Sequence, residues 1–277
     1  MAKFLNGTEL VGYIQERQAR QVRALRQASR VFPRLVIIKS TTASPVIDAY
    51  IRMKQRYADE ILIETVVETL DERDMPAAIT RYNADPMVHG IIVQLPLADP
   101  TKTDEIVDAI AVDKDVDGLG VNASFDSATA VAIQWLLAGY AVDLKGKKLT
   151  IVGNGRLVGA PLAAMWRASN FDVTVLDDSS AADLAETLKV SDVIVAATGV
   201  PHLIDSAMIT IGAAVVDAGT TSENGVIVGD VAADARQRDD LKITPERGGV
   251  GPLTIAVLFD HVIQAGLKVA EDAAQSS

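Results

Sequence analysis

Residues 150–161, TIVGNGRLVGAP, carry the residue types of a phosphate-binding turn. An apolar run leads into Gly153, Gly155 and Gly159, and a helix opening behind them would offer free backbone N–H groups to an anion. The spacing departs from the dinucleotide fingerprint, because G-x-G-x-x-G places its last glycine one residue earlier. Glycines here also let a strand and a helix pack closely with no ligand present, and on the motif alone both readings stand. Further on, the run DVTVL ends in Asp177-Asp178. A carboxylate at that point can accept hydrogen bonds from the ribose hydroxyls of NAD, and two carboxylates would repel the extra phosphate of NADP. An Asp-Asp-Ser-Ser turn explains the same residues.

Two smaller groupings also carry chemistry. Tyr50 and Lys54 are four positions apart, so on a helix they share a face, as an amphipathic helix also arranges by chance. Lys114-Asp115-Val116-Asp117 presents paired carboxylates, which suit either a hydrogen-bond donor edge or a cation; no further ligand set accompanies them. The three histidines, His89, His202 and His261, are far apart, so no metal is expected.

The elements that must hold these groups read as α/β. Residues 8–30 form a helix with Thr8 as a candidate cap and Leu10, Ile14, Val22 and Leu25 as its apolar stripe. Leu35–Ile38 reads as a buried strand, 46–60 as a helix, 61–66 as a strand, and 89–97 (HGIIVQLPL) as a strand ending at a proline. In the second half, strands at 148–152, 172–176, 192–196 and 213–217 alternate with helices, the first of them spanning 158–169. Such alternation predicts a parallel sheet with ligands at the carboxyl ends of its strands. The segment 137–148 is the best domain boundary, 255–270 reads as an apolar helix, and the last eight residues read as frayed.

Composition narrows the function classes. The chain of 277 residues has 49% hydrophobic and 23% charged residues, ordinary for a folded protein. A net charge of -11 without a basic run argues against nucleic-acid and anionic-membrane partners. The absence of cysteine excludes thiolate catalysis, disulfides and cysteine-ligated zinc. No apolar run reaches the roughly 20 residues of a bilayer span, and MAKFLNGTEL lacks signal-peptide features, so a cytoplasmic protein is expected.

Seven segments together resemble the bifunctional methylenetetrahydrofolate dehydrogenase/methenyltetrahydrofolate cyclohydrolase family. They are AYIRMK (49–54), HGIIVQLPL (89–97), DKDVDGL (113–119), TIVGNGRLVGAP, SDVIVAATGVP (191–201), AVVDAG with VGDV (214–231) and ITPERGGVGPLT (243–254). The resemblance implies tetrahydrofolate substrates, NAD(P) as cofactor, no metal and a homodimer. It also implies two domains: a folate-side α/β domain over 1–138, joined by the helix 256–277, and a Rossmann-like doubly wound domain over 139–255. The active site is expected in the cleft between them. By resemblance, Tyr50, Lys54, Gln94 and Asp117 are catalytic. Leu95, Pro96, Gly251 and Pro252 join Tyr50, Gln94 and Asp117 at the substrate. Gly153, Asn154, Gly155, Arg156, Val158, Asp177, Asp178, Thr198, Gly199, Thr129 and Thr254 are the cofactor residues.

These assignments make chemical sense. A lysine beside a developing cation is disfavoured in its charged form, so the pKa of Lys54 should fall, and its neutral amine could then activate water. Gln94 can orient Lys54 or the folate through its amide. Tyr50 can pack on the pterin or hold the lysine. Asp117 accepts two parallel hydrogen bonds from the pyrimidine edge of the pterin, while Asp115 shapes the turn.

The sequence also departs from the family pattern. The usual glycine-arginine-serine turn reads Gly153-Asn154-Gly155, and a histidine-serine pair after the next strand reads Asp177-Asp178. Both changes favour NAD over NADP. Ser127–Ala130 replaces a proline-cysteine-threonine-proline segment and keeps only Thr129. Glu246 and Arg247 add charges before the GGVGP segment, and Ile47 stands where a serine is usual. These changes motivate a second reading, a folate- or nucleotide-binding homologue with weakened or lost dehydrogenase activity. The retained Tyr50, Lys54, Gln94 and Asp117 argue against it. A different NAD-dependent dehydrogenase would leave VQLPL and KDVDG unexplained.

Overall fold

The computed structural model describes residues 3–223 and 226–275. In chain order the elements are β1 (Lys3–Phe4), α1 (Gly7–Ala24), β2 (Arg34–Ser40), α2 (Pro45–Ile61), β3 (Glu64–Leu70), α3 (Met75–Ala84), β4 (Gly90–Val93), α4 (Thr103–Asp108), α5 (Ala128–Gly139), β5 (Leu149–Val152), α6 (Gly159–Ala168), β6 (Val173–Leu176), α7 (Leu184–Leu188), β7 (Val193–Ala196), β8 (Ala214–Asp217), β9 (Thr221–Glu223), β10 (Val226–Val228), β11 (Lys242–Ile243) and α8 (Val250–Gln275). They form two compact units. Gly12–Ala128 groups with the residues from Ile255 onward, and Thr129–Thr254 groups with the residues up to Val11.

The first unit is built on a parallel three-stranded sheet in the order β3-β2-β4. β2 is central, and Leu35, Val36, Ile37 and Ile38 are fully buried, as expected of a strand covered on both faces. Val36, Ile38, Ile79, Ile91 and Ile106 share one core with Met75. Helix α2 is started by Ser44, whose side chain accepts from the Ile47 N–H, and by Pro45 in its first turn. It ends at Leu62, whose left-handed backbone (φ 66°) returns its N–H to the carbonyls of Ala58 and Asp59. That cap uses residues 61–63, so β3 begins at Glu64 and not at residue 61.

The first helix also differs from its sequence reading. Asn6, not Thr8, caps α1, its side chain accepting from the Glu9 N–H. A π-helical stretch, Leu25–Ser29, follows and stops at Arg30, which has φ 57°. From Ile255, helix α8 completes the first unit: Phe259 stacks on Tyr57 with centroids 5.4 Å apart. Buried Gln18 donates to the Ala256 carbonyl at 2.8 Å and accepts from the Tyr57 hydroxyl at 2.7 Å. Helix α8 is long and apolar enough to cross a bilayer, but 72% of its most apolar window is buried inside the protein. It continues to Gln275, past the point where the sequence suggests fraying.

The second unit holds a six-stranded sheet in the order β1-β11-β8-β7-β5-β6, every pair parallel. β5, β6, β7 and β8 lie within one residue of the strands read from the sequence. Residues 3–11 and 129–138 group here and not with the rest of 1–138. The reason is pairing: Lys3 and Phe4 lie opposite Lys242 and Ile243 of β11. The Trp166 indole of α6 donates to Gln134 of α5 at 2.8 Å. β5 has β6 on one side and β7 on the other, so the strand order reverses there. Such a switch point opens a crevice at the carboxyl ends of the strands.

Candidate active site

In the first unit, α2 places Tyr50 and Lys54 one turn apart on the same face. Gln94 directly follows β4, and its N–H continues the ladder to the Ile38 carbonyl at 2.8 Å. That fixed backbone aims its side chain at α2, and Lys54 Nζ donates to Gln94 Oε1 at 2.7 Å. The Gln94 amide nitrogen donates to the Leu95 carbonyl at 3.2 Å, and the Leu95-Pro96 peptide is cis. The lysine is therefore held by Gln94 and not by Tyr50.

Electrostatics act on the same group. Enclosure of the Lys54 ammonium lowers its pKa, and the charge of Asp117 opposes the shift. Burial raises the Asp117 pKa, with Lys54 opposing, and burial raises that of Tyr50. The sequence ascribes the Lys54 shift to a cationic substrate; in the protein itself desolvation already produces it.

Asp117 stands on a braced segment. The Lys114 carbonyl accepts from the Ile91 N–H at 2.8 Å, tying the segment to β4. The Lys114 ammonium is spent on the carbonyls of Tyr82, Asn83 and Asp85. Buried Asp115 accepts from the N–H groups of Gly118, Leu119 and Gly120 at 3.0, 3.1 and 2.7 Å, so its oxygens serve the turn. Gly118 has φ 67°, and a Cβ there would run into the Asp126 carbonyl. Buried His261 bonds the Val116 carbonyl through Nδ1 at 2.8 Å and stacks on Phe125. Nothing in the spacing of the sequence pointed to His261, because its contact lies 145 positions away. Among the described residues nothing donates to the Asp117 carboxylate, which is left able to accept two parallel donors.

In the second unit, Gly153 directly follows β5 with φ 101°, a conformation closed to most L-residues. The α-carbon of Gly159 packs on the Gly153 carbonyl, whereas a Cβ on Gly155 would meet nothing within 4 Å. The late third glycine is thus a close-packing residue, and the space beside Gly155 is open. Val158 precedes α6, and no side chain caps the helix start. Asn154 is exposed, and partial burial lowers the Arg156 pKa.

After β6, Asp177 Oδ1 accepts from the Ser179 N–H at 3.0 Å and its hydroxyl at 2.5 Å, and these bonds hold its pKa below the usual range. Asp178 opens the following 3-10 turn, and both aspartates are exposed. The turn and the ribose acceptor are therefore compatible uses of one residue, since the second oxygen of Asp177 takes no part in the turn. Thr198 and Gly199 follow β7. Thr129 lies in α5, while Gly251, Pro252 and Thr254 lie in the first turns of α8. The open glycine turn, the uncapped helix and the acidic strand end at a switch point fit a dinucleotide.

A doubly wound parallel-sheet unit with such a turn and a second unit carrying a partly buried lysine together define a nucleotide-dependent α/β enzyme. The family model "Tetrahydrofolate dehydrogenase/cyclohydrolase, catalytic domain" matches residues 5–117, and "Tetrahydrofolate dehydrogenase/cyclohydrolase, NAD(P)-binding domain" matches residues 127–270. The chain is 35% identical to the bifunctional protein FolD of Streptococcus pyogenes over 97% of its own length and 99% of the relative's. The crystal structure of bifunctional FolD from Campylobacter jejuni superposes with a TM-score of 0.90 at 31% identity, covering 97% of this chain and all of that one. The Trypanosoma brucei enzyme, solved with NADP and an inhibitor, gives 0.89 at 28% identity, covering 97% and 98%. The chain belongs to the tetrahydrofolate dehydrogenase/cyclohydrolase family. Its activity is that of an NAD(P)-dependent methylenetetrahydrofolate dehydrogenase and methenyltetrahydrofolate cyclohydrolase of one-carbon metabolism.

Proposed function

We propose that Lys54 is the proton-handling group of the cyclohydrolase step and that NAD is the preferred oxidant of the dehydrogenase step. The observation that carries the first claim is the enclosed Lys54 ammonium, bonded to Gln94 and facing the charge of Asp117. Asp117 holds the pyrimidine edge of the pterin, Tyr50 packs on the ring, and Leu95, Pro96, Gly251 and Pro252 line the substrate. Bound NAD(P) supplies the hydride acceptor that turns the methylene bridge into a methenyl cation.

In the hydrolytic step, water adds to the methenyl carbon and one carbon–nitrogen bond breaks. One water proton ends on the released nitrogen and the other leaves the site. A neutral Lys54 takes up the first proton as the water attacks and returns it to the departing nitrogen. Gln94 keeps the lysine nitrogen directed, which limits the geometries it must search. A protein that only binds folate has no use for this arrangement.

Gly153, Asn154, Gly155, Arg156 and Val158 hold the cofactor pyrophosphate. Asp177 and Asp178 face the adenosine ribose, Thr198 and Gly199 the far half, and Thr129 and Thr254 complete the set. The ionised Asp177 carries the cofactor preference, because it accepts from a ribose hydroxyl and repels a phosphate. The experiment is a parallel measurement of kcat/KM for NAD and NADP with methylene-tetrahydrofolate. NAD should lead by roughly tenfold, equivalent to about 1.4 kcal/mol. Because the two aspartates are exposed, raising the salt should narrow the ratio. Asp177→Ser should narrow it further, and an NADP preference in the unaltered protein would overturn the assignment. The family resemblance supports a homodimer, the charge of -11 without a basic run supports an enzyme without nucleic-acid or anionic-membrane partners, and MAKFLNGTEL, which lacks signal-peptide features, supports a cytoplasmic one.

A further inference from the structure

We propose that Asp230 is a positioning residue for the nicotinamide half of the cofactor, acting through the loops that follow β7 and β8. Asp230 follows β10 and is fully buried. Its Oδ2 accepts from the Thr198 N–H at 2.5 Å, the Thr198 hydroxyl at 2.9 Å and the Gly199 N–H at 3.2 Å. One carboxylate oxygen thus gathers three donors from the loop after β7. Among the described residues Oδ1 has no hydrogen-bond partner. It lies against Gly219, in the loop after β8, where an added Cβ would collide with the carboxylate. The Asp230 N–H is itself fixed, donating to Asp217 Oδ1 at 3.0 Å. Asp217 closes β8 and is locked by a buried ion pair with Arg236 at 2.7 Å.

The location gives this latch its role. β7 and β8 lie on one side of β5, and β6 with Asp177 lies on the other. A dinucleotide crossing at the switch point places its adenosine over β6 and its second nucleotide over β7 and β8. Asp230 therefore sets two backbone segments on the nicotinamide side and none on the adenosine side. A buried carboxylate with an unmatched oxygen opposes folding. Keeping it there is consistent with a loop geometry that an apolar residue could not impose. The inference rests on the NAD reading of the crevice.

The test is calorimetric titration of the purified protein and its Asp230→Ala variant with NAD and with ADP-ribose, which lacks the nicotinamide. Asp230→Ala should weaken NAD at least tenfold and ADP-ribose by less than twofold. The cyclohydrolase rate, which needs no cofactor, should stay within twofold. Equal losses for both ligands, or no loss, would overturn the proposal. Asp230→Asn keeps the shape and one acceptor for the loop, so it covers the case in which the alanine variant does not fold. It should weaken NAD about threefold, with ADP-ribose unchanged; unchanged NAD affinity in that variant would also overturn the proposal. If the unaltered protein bound neither ligand, the crevice reading itself would fail.

Discussion

Replacing Lys54 with methionine should lower the cyclohydrolase rate by about 10²- to 10⁴-fold, the range supplied by a positioned acid–base group. Methionine is close to lysine in length and keeps the packing of α2, so the thermal midpoint should change little and folate should still bind. The dehydrogenase step should suffer less, because loss of hydride from the one-carbon unit requires no proton transfer. The pH dependence provides a second check. Burial lowers the Lys54 pKa, and the active form is the neutral amine. The hydrolysis rate of the unaltered enzyme should therefore climb with pH and level off below the ordinary lysine range. Lys54→Met should remove that limb. Unchanged hydrolysis of methenyl-tetrahydrofolate by the variant would refute the role.

Asp117→Asn should raise the folate KM by roughly 10- to 100-fold, because hydrogen bonds to a charged acceptor contribute about 1.5–3 kcal/mol. An amide offers one acceptor where the pterin edge needs two, and its NH₂ group opposes a donor. The same change acts on Lys54. Asp117 raises the lysine pKa against the effect of burial, so removing its charge should move the rising limb of the hydrolysis profile to lower pH. In the unaltered enzyme, burial raises the Asp117 pKa. Folate affinity should be full above that pKa and fall away as the pH drops through it, at a pH above the usual carboxylate range. Steady-state kinetics across pH tests both statements; a KM unchanged in the variant would show that Asp117 does not hold the pterin.

The two-domain α/β plan was legible because strand runs such as Leu149–Val152 are short, apolar and bounded by glycine or aspartate. The chemistry-bearing side chains were legible for a different reason: Tyr50 and Lys54 are one helical turn apart, and VQLPL and KDVDG are distinctive segments. What escaped depends on distance in sequence. His261 meets Val116 across 145 positions, and no local pattern encodes such a pair; the contact of Gln94 with Lys54, 40 positions away, was within reach only through the family resemblance. Asp230 sits in VGDV, a segment visible only as part of the resemblance, and its latch on Thr198 spans 32 positions. The grouping of residues 3–11 with β11 was hidden similarly, since a two-residue strand has no period to detect.

The division of the chain has a consequence for its birth on the ribosome. Residues 12–128 are made before most of the other unit, yet their own unit includes the helix from Ile255 onward, which packs Phe259 on Tyr57 and braces Val116 through His261. The other unit, which opens with β1, can close once Thr254 has appeared. The lysine-bearing half is therefore mostly made before the other half and completed after it. Its apolar surface around Tyr57 must wait through most of translation for the segment that covers it, and during that interval the nascent chain is most dependent on protection from aggregation.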